Sequence, residues 1–347
     1  MSFQKYKNKG LTGLANLGNT CYLNSCIQIL SHIYELNDML EKIEFEKKLN
    51  QINDSILLLE WNKLYKLMWS ANCVIAPNGF VKSIQKIAHI KKKDIFSGYA
   101  QNDLPEFLIF LLESFHNSLA RKVDVDITGV VLNNKDKLAN ICFNMIKTMY
   151  NKEYSEISEM FFGISVSQLL SLDGEILSLN PEPFCMLNLP IPDDNKNPSI
   201  FDCLDLYCES ELMAGENAWF NEKTGDKQDI NKNTIFWSLP PILIIDIKRF
   251  NNNNRKINKV VHSPLINVDF SKYIKGYKAE TFIYDLFGIC NHSGGCAGGH
   301  YTSYIKNANN KWYEFNDTNV REISVDKVVS EKSYAFFYRK IGGLIPL

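Results

Sequence analysis

The stretch GLANLGNTCYLNS, Gly13 to Ser25, runs from a glycine-punctuated loop into an apolar-periodic segment, with Cys21 at the junction. Beyond the cysteine, Leu23, Ile27, Leu30 and Tyr34 recur every three to four residues, the spacing of one buried helical face. The loop therefore delivers a thiol to the start of a helix. Unsatisfied backbone N–H groups and the positive end of the helix dipole meet at that point, and both favour an anion over a neutral thiol. Because the thiolate is the attacking form of cysteine, this placement marks Cys21 as a nucleophile. Cys26, Cys73, Cys142 and Cys185 read instead as small hydrophobes, and Cys203 and Cys208 as core positions of another helix.

Working outward, Ile56, Leu59, Leu64 and Leu67 form a second helical stripe, and Phe80, Ile84, Ile87 and Ala88 a third. Asp103 followed three residues later by Glu106 predicts a capping-box-like helix start, Pro105 suits the first turn, and Leu108, Leu111, Leu112 and Phe115 make the buried face. A further helix is predicted from Leu138 to Tyr150. After about Phe161 the texture changes to short runs rich in Val, Ile, Phe, Tyr and Trp, divided by Gly, Pro, Asn and Asp. Strands are expected at 162–166, 186–189, 242–247, 282–289, 301–306, 311–315 and 334–339. Helices first and strands second predict an α+β fold with a largely antiparallel sheet. The 347 residues allow two domains or one large elaborated one. The segments 192–198 and 251–254 read as exposed loops too short to divide the chain.

A thiolate needs a base held in place, and the candidate lies in GGHYTSYIKNANNKWYEFNDTNV, Gly298 to Val320. His300 precedes one strand, and Asn316 and Asp317 follow the next. Such a hairpin can set the imidazole beside an amide or carboxylate that fixes its tautomer and orientation. A cysteine near the N-terminus with His and Asn or Asp far downstream is the order of papain-like thiol hydrolases. A competing zinc reading would take Cys290, His292, Cys296 and His300 as ligands, but its spacing matches no standard pattern. His32, His89, His116 and His262 are read as structural.

Composition removes other classes. With 38 Lys plus Arg against 39 Asp plus Glu, there is no general electrostatic reason to bind nucleic acid or anionic lipid. The longest apolar runs, Phe107 to Leu112 and Leu239 to Ile247, are too short to span a bilayer. The start MSFQKYKNKG carries charge without an apolar run, so an intracellular chain is expected. Nine cysteines, an odd number at ordinary density, then read as buried thiols, a metal ligand or a nucleophile rather than a disulfide framework.

The Cys21 segment and the His300 segment strongly resemble the two signature boxes of the ubiquitin-specific proteases, the papain-like deubiquitinating cysteine proteases. Between them, GYAQNDLPEFL (Gly98 to Leu108) resembles that family's acidic box, LPPILIIDIKRF (Leu239 to Phe250) its central strand motif, and YAFFYRK (Tyr334 to Lys340) its closing strand. The resemblance implies a papain-like fold with a helical thumb at about 10–160, β-rich fingers at about 161–238 and an antiparallel β palm at about 239–340. Residues 1–9 would be an N-terminal extension and 341–347 a tail.

Carried over by position, the resemblance makes Cys21 the nucleophile, His300 the general base and then acid, and Asn316 the residue that orients the imidazole. Asp317 adjoins it, and which of the two dominates is left open. Asn16 matches the family's oxyanion-hole side chain. Asp103, Gln101, Gly298, Gly299 and Tyr301 fall to substrate binding, with Asp103 aligned to an acid that contacts a basic side chain of the bound tail. The glycine-rich run Ser293 to Gly299 resembles a flexible loop beside a channel narrow enough to select ubiquitin's two terminal glycines. The implied partners are ubiquitin and ubiquitinated proteins; no cofactor, nucleic acid or membrane is implied, and a monomer is expected. Two alternatives are a catalytically silent ubiquitin-binding scaffold and a protease for another ubiquitin-like modifier.

The chain departs from the family pattern in its fingers. Many relatives hold a structural zinc there with two CxxC pairs, whereas this sequence has Leu170 and Asp173 at one pair and Asn221 and Thr224 at the other. Loss of all four ligands predicts fingers without zinc. The acidic box also reads Gln101, Asn102, Asp103 where two glutamines usually precede the Asp.

Overall fold

A computed structural model describes residues 3–98, 100–222, 224–251, 253–296 and 298–342. Most of the expected tail, and the first two residues of the expected extension, lie outside the described residues. The first half folds into helices α1 (Cys21–Ser31), α2 (Tyr34–Lys42), α3 (Asp54–Ser70), α4 (Asn78–Ile90), α5 (Leu104–Leu119), α6 (Asn134–Tyr150) and α7 (Glu156–Phe161). The single stripe expected from Leu23 to Tyr34 is two helices. The Gln28 carbonyl, which would accept from the His32 N–H, accepts instead from Ser31 Oγ at 2.9 Å and His32 Nδ1 at 2.8 Å. The His32 N–H turns to Ile29 at 3.0 Å, and α1 ends there. The expected box at α5 is half formed: the Asp103 carboxylate accepts from the Glu106 N–H at 3.4 Å.

The second half carries the strands. β1 (Gly13–Leu14) and β2 (Val74–Ile75) form a short parallel pair that pins the loop before α1. Next come β3 (Gly163–Leu170), β4 (Ile176–Phe184), β5 (Leu187–Leu189), α8 (Ile200–Cys208), β6 (Glu211–Met213), β7 (Trp219–Asn221), β8 (Asp226–Gln228) and β9 (Ile230–Ser238). The fingers are a four-stranded sheet in the order β4-β3-β9-β6, with a β7-β8 hairpin. Strand β4 escaped the sequence reading because it contains Pro181 and Pro183. It lies at the sheet's edge, where a residue without an N–H is tolerated. Leu170 and Asp173 sit at the β3-β4 tip, and Asn221 and Thr224 at the β7-β8 tip, so no thiolate stands at either.

The palm consists of β10 (Ile242–Ile247), β11 (Val268–Asp269), β12 (Ile283–Gly295), β13 (Gly298–Lys306), β14 (Trp312–Asn316), β15 (Asn319–Ile323) and β16 (Ser333–Lys340), joined by β5. The eight strands run β15-β14-β13-β12-β16-β10-β5 with β11 beside β12, and every pair except β5-β10 is antiparallel. The architecture is the expected α+β, with a helical thumb, a β palm and β-rich fingers.

Alternation along β10 divides the core. Ile242 and Ile244 face the thumb, where they meet Leu23, Ile27, Phe107 and Phe115; Leu243, Ile245 and Ile247 face α8 and the opposite side. Each fully buried Ile, Leu or Phe contributes about 1.5–3 kcal/mol, so the thumb-palm contact fixes α1 against the sheet. The first residues are strapped to the far end of the chain. Asn307 Oδ1 accepts from the Asn8 N–H at 3.2 Å, Asn309 Nδ2 donates to Asn8 Oδ1 at 2.8 Å, and the Leu14 N–H donates to the Asp317 carbonyl at 2.8 Å. A Cβ on Gly13 would lie 2.3 Å from the Thr318 carbonyl oxygen, so this approach requires glycine. Among the described residues, no helix is long and apolar enough to cross a membrane.

Candidate active site

Helix α1 packs against β13 and β14, and its first residue, Cys21, is 2% exposed. The thiol lies within reach of the Tyr301 backbone N–H, so the nucleophile predicted near the N-terminus meets the strand that carries His300. The sequence reading expected the helix start to favour the thiolate. In the folded chain the thiol is instead pushed up: burial dominates, the N–H groups of Tyr301, Tyr22 and Cys21 oppose it, and the Asp317 charge reinforces it. Desolvation by the thumb-palm core outweighs the dipole. The other buried thiols Cys26, Cys142, Cys203 and Cys290 are also raised by burial, without comparable N–H groups.

His300 and the end of β14 come together as the hairpin required: His300 Nε2 is 2.7 Å from Asn316 Oδ1. An amide oxygen only accepts, so Nε2 carries the proton and Nδ1 holds the free lone pair. The side chain that touches the imidazole is therefore Asn316. Asp317 does something else. Its backbone is left-handed (φ 50°), which turns the carboxylate toward α1. Oδ2 accepts from Asn16 Nδ2 at 3.0 Å and Oδ1 from Asn24 Nδ2 at 2.7 Å.

The orientation of Asn16 is fixed from both ends. Its Oδ1 accepts from the Gly18 N–H at 3.0 Å and the Thr20 N–H at 3.1 Å, so its NH₂ must face Asp317 and the exposed side of the loop. One of its two N–H bonds is then available to a ligand. Asn24, three residues into α1 and buried, was missed by the sequence reading. Its position one helical turn after Cys21, on the face of the nucleophile, was the available signal.

A cleft of about 730 Å³ leads toward this point, lined among others by Asn19, Gln101, Asp103, Phe250, His292 and Tyr301. Gly298 and Gly299 line it too. The Gln101 amide spans the cleft edge, donating to the Gly299 carbonyl and accepting from the Gly299 N–H, each at 2.6 Å. A Cβ on Gly299 would lie 2.3 Å from His292 Nε2 and 2.4 Å from the Ser293 oxygen, so only glycine fits. Asp103 reaches the other wall, where the Tyr334 hydroxyl donates to its Oδ2 at 2.8 Å; burial raises this carboxyl while Tyr334 and the Glu106 N–H oppose the rise. Of the site residues read from the sequence, Gln101, Asp103, Gly298, Gly299 and Tyr301 line this cleft, while Cys21, Asn16, His300, Asn316 and Asp317 lie at the start of α1 and the ends of β13 and β14.

The four residues of the alternative zinc reading do not converge. Cys290 is fully buried and directed at the Ser25 carbonyl, Cys296 is exposed near the Asn254 carbonyl, and His300 is engaged by Asn316. His292 stacks near Tyr301 and Lys256, with burial and that lysine lowering it to about 4. Among the described residues, no group of three or more His, Cys, Asp or Glu is arranged to hold a metal ion.

A thumb and a palm that bring a helix-start cysteine against a His–Asn hairpin define the papain-like thiol hydrolases. The chain matches the family described as ubiquitin carboxyl-terminal hydrolase over residues 12–338, and it belongs to that family. It is 32% identical over 341 residues to ubiquitin carboxyl-terminal hydrolase Usp2 of Drosophila melanogaster, covering 96% of this chain and 35% of the relative. It is 31% identical over 345 residues to human ubiquitin carboxyl-terminal hydrolase 2, covering 95% and 55%. A probable ubiquitin carboxyl-terminal hydrolase R319 of Acanthamoeba polyphaga mimivirus is 26% identical over 424 residues, covering 95% and 90%. The chain thus spans about a third to just over half of the first two relatives. Among solved structures, the SAGA Ubp8/Sgf11/Sus1/Sgf73 DUB module bound to ubiquitin aldehyde aligns with a TM-score of 0.73 at 22% identity, over 96% of this chain and 70% of that one. A yeast SAGA DUB module aligns with a TM-score of 0.72 at 24% identity, over 96% and 69%. These likenesses show the fold.

Proposed function

We propose that this chain is a deubiquitinating thiol protease that cleaves the isopeptide or peptide bond after ubiquitin's terminal glycine. The observation that carries the reading is the His300–Asn316 hydrogen bond, which leaves Nδ1 free on the strand packed against the start of α1. In the first step Nδ1 of His300 takes the Cys21 proton as Sγ attacks the glycine carbonyl carbon; because the buried thiol resists ionisation, transfer and attack are concerted. The free N–H of Asn16 and backbone N–H groups near Cys21 hold the oxyanion, each donor worth about 2.7–4 kcal/mol. His300 then returns the proton to the departing lysine amine, leaving a thioester. Water, losing a proton to His300, attacks the thioester, and the proton returns to sulfur.

Asp103, Gln101, Gly298, Gly299 and Tyr301 bind the tail in this reading. Gly299 keeps the wall free of a side chain, which suits a Gly-Gly terminus. The partners are ubiquitin and ubiquitinated proteins inside the cell, the chain acts as a monomer, and its fingers work without zinc. The test is incubation with ubiquitin and ubiquitin-like probes bearing C-terminal electrophiles. The expected outcome is a covalent adduct with the ubiquitin probe that maps to Cys21 and is abolished in Cys21→Ala, with ubiquitin binding retained. An adduct that persists in Cys21→Ala rejects the assignment, and reaction only with another modifier's probe rejects the substrate.

A further inference from the structure

The near-neutral sequence hides an uneven distribution of charge. Residues 161–238 hold 13 Asp and Glu against 4 Lys, so the rest of the chain holds 34 Lys and Arg against 26 Asp and Glu. Part of that excess is gathered on α4 and the turn that closes it. The helix buries Phe80, Val81, Ile84, Ile87 and Ala88 in the thumb, and leaves Lys82, Lys86, His89 and Ile90 as one exposed stripe. Lys92 and Lys93 are exposed in the turn, and Ile90 and Ile95 on either side of them are 45% and 44% exposed. Lys91 is paired with Asp54 at 3.0 Å, whereas Lys82, Lys86, Lys92 and Lys93 form no ion pair among the described residues. Of the acids at the margin, Glu60 is held by Lys63 at 2.6 Å and Glu113 by Lys91 at 3.7 Å, and Asp94 alone adjoins the lysines in the turn.

The turn places its lysines in a way that the helix itself does not need. The Lys92 N–H donates to the His89 carbonyl at 3.1 Å and the Lys93 N–H to the Ala88 carbonyl at 2.8 Å, the paired bonds of a Schellman cap. That cap holds Lys92 at φ 56°, the left-handed position that glycine fills most readily. Complementing the negative end of the helix dipole asks only for cations in the last turn, which leaves Lys82, two turns upstream, without a role. A helix face and its end are convex and offer no groove to a peptide. Intermingled lysine and isoleucine side chains suit a lipid headgroup layer, where ammonium groups meet anionic heads and the apolar side chains enter the boundary below. We infer that the basic, isoleucine-flanked end of α4 is a docking surface for a membrane that bears anionic lipid. The inference goes beyond the proposed protease activity and uses none of the residues of that site. Ala100, which lines the cleft, follows Lys93 by seven residues in the chain, so docking would favour substrates carried at the same membrane.

The test is sedimentation of the whole chain with vesicles of phosphatidylcholine, either alone or with about 30% phosphatidylserine. Retention should be confined to the charged vesicles and should fall steeply between about 0.05 M and about 0.3 M salt, as screening shortens the reach of exposed charges. Each lysine at an anionic surface multiplies affinity about five-fold, so Lys82→Gln, Lys86→Gln, Lys92→Gln and Lys93→Gln combined should lower it by more than about a hundred-fold. Ile90→Ser with Ile95→Ser should weaken retention and leave its salt dependence unchanged. Lys92→Gly separates docking from the cap: glycine suits the left-handed position, so the melting temperature should hold or rise while vesicle affinity falls about five-fold. Equal retention on both vesicles, or undiminished retention of the four-lysine variant, overturns the inference. Tighter binding to soluble poly-glutamate than to the charged vesicles overturns it too, by assigning the patch to an acidic protein.

Discussion

Replacing Asp317 by alanine separates the two residues that sequence reading left undivided. The substitution removes two charge-assisted hydrogen bonds, from Asn16 at 3.0 Å and Asn24 at 2.7 Å, each worth about 1.5–3 kcal/mol. It leaves the Asn24 amide, 3% exposed, with only 3.4 Å contacts to the Leu14 and Ala15 carbonyls. Alanine tolerates the left-handed backbone at φ 50° less well than aspartate, which adds a smaller further cost. We expect a folded but destabilised protein, lower by about 3–5 kcal/mol, whose kcat on a fluorogenic ubiquitin C-terminal amide falls about a hundred-fold because the Asn16 donor is no longer aimed.

A second reading moves the other way. The Asp317 charge raises the Cys21 thiol, so its removal should accelerate alkylation of Cys21 by iodoacetamide at neutral pH while turnover falls. Asn16→Ala combined with Asp317→Ala should be no slower than Asn16→Ala alone, since the carboxylate acts through the amide. Turnover within a few-fold of wild type in folded Asp317→Ala, slower alkylation, or additive losses in the double variant would each refute this account.

Asn316→Ala should cost turnover through the imidazole instead: kcat falls, KM holds and the Cys21 alkylation rate is nearly unchanged, and a pure KM effect would remove Asn316 from its role. Gly299→Ala forces a methyl against His292 and Ser293, so we expect about 1–3 kcal/mol of overpacking and a matching loss in kcat/KM; normal kinetics would show that the cleft wall yields. Asp246, buried in the middle of β10, contributes to the pH dependence of stability. Its folded carboxyl titrates at about 8 against about 3.9 unfolded, so its contribution is fully present below pH 4 and is lost as pH rises toward 8, a loss of up to about 5 kcal/mol. Asp246→Asn should remove that decline, so the urea midpoint of the variant should gain on wild type as pH rises from 5 to 8, and parallel slopes in both proteins would contradict it.

Much of this was legible in the sequence because the deciding signals are local. A glycine loop before an apolar stripe placed Cys21 at a helix start, and an alternating hairpin put His300 within reach of Asn316. What stayed hidden depends on long-range neighbours. Asn316 and Asp317 are adjacent in sequence and equal in chemistry. Only the left-handed turn at Asp317, set by packing against the Gly13 loop, sends their side chains to different partners. The break at His32 was masked because both helices bury the same apolar stripe, and β4 because its prolines are tolerated only at an edge. The thiol's direction was misjudged for a related reason: dipole effects are read from a few neighbouring residues, whereas desolvation comes from a core assembled across the whole chain.

The strap between residues 8–14 and residues 307–317 bears on how the molecule comes into being. Synthesis adds Cys21 nearly three hundred residues before His300 and the Asp317 carboxylate that aims Asn16. A nascent chain that stops short of residue 300 therefore carries the thiol without its imidazole, and Asn16 without the carboxylate that aims it. The same dependence on distant contacts makes closing residues 8–14 onto residues 307–317 a late and slow step of folding.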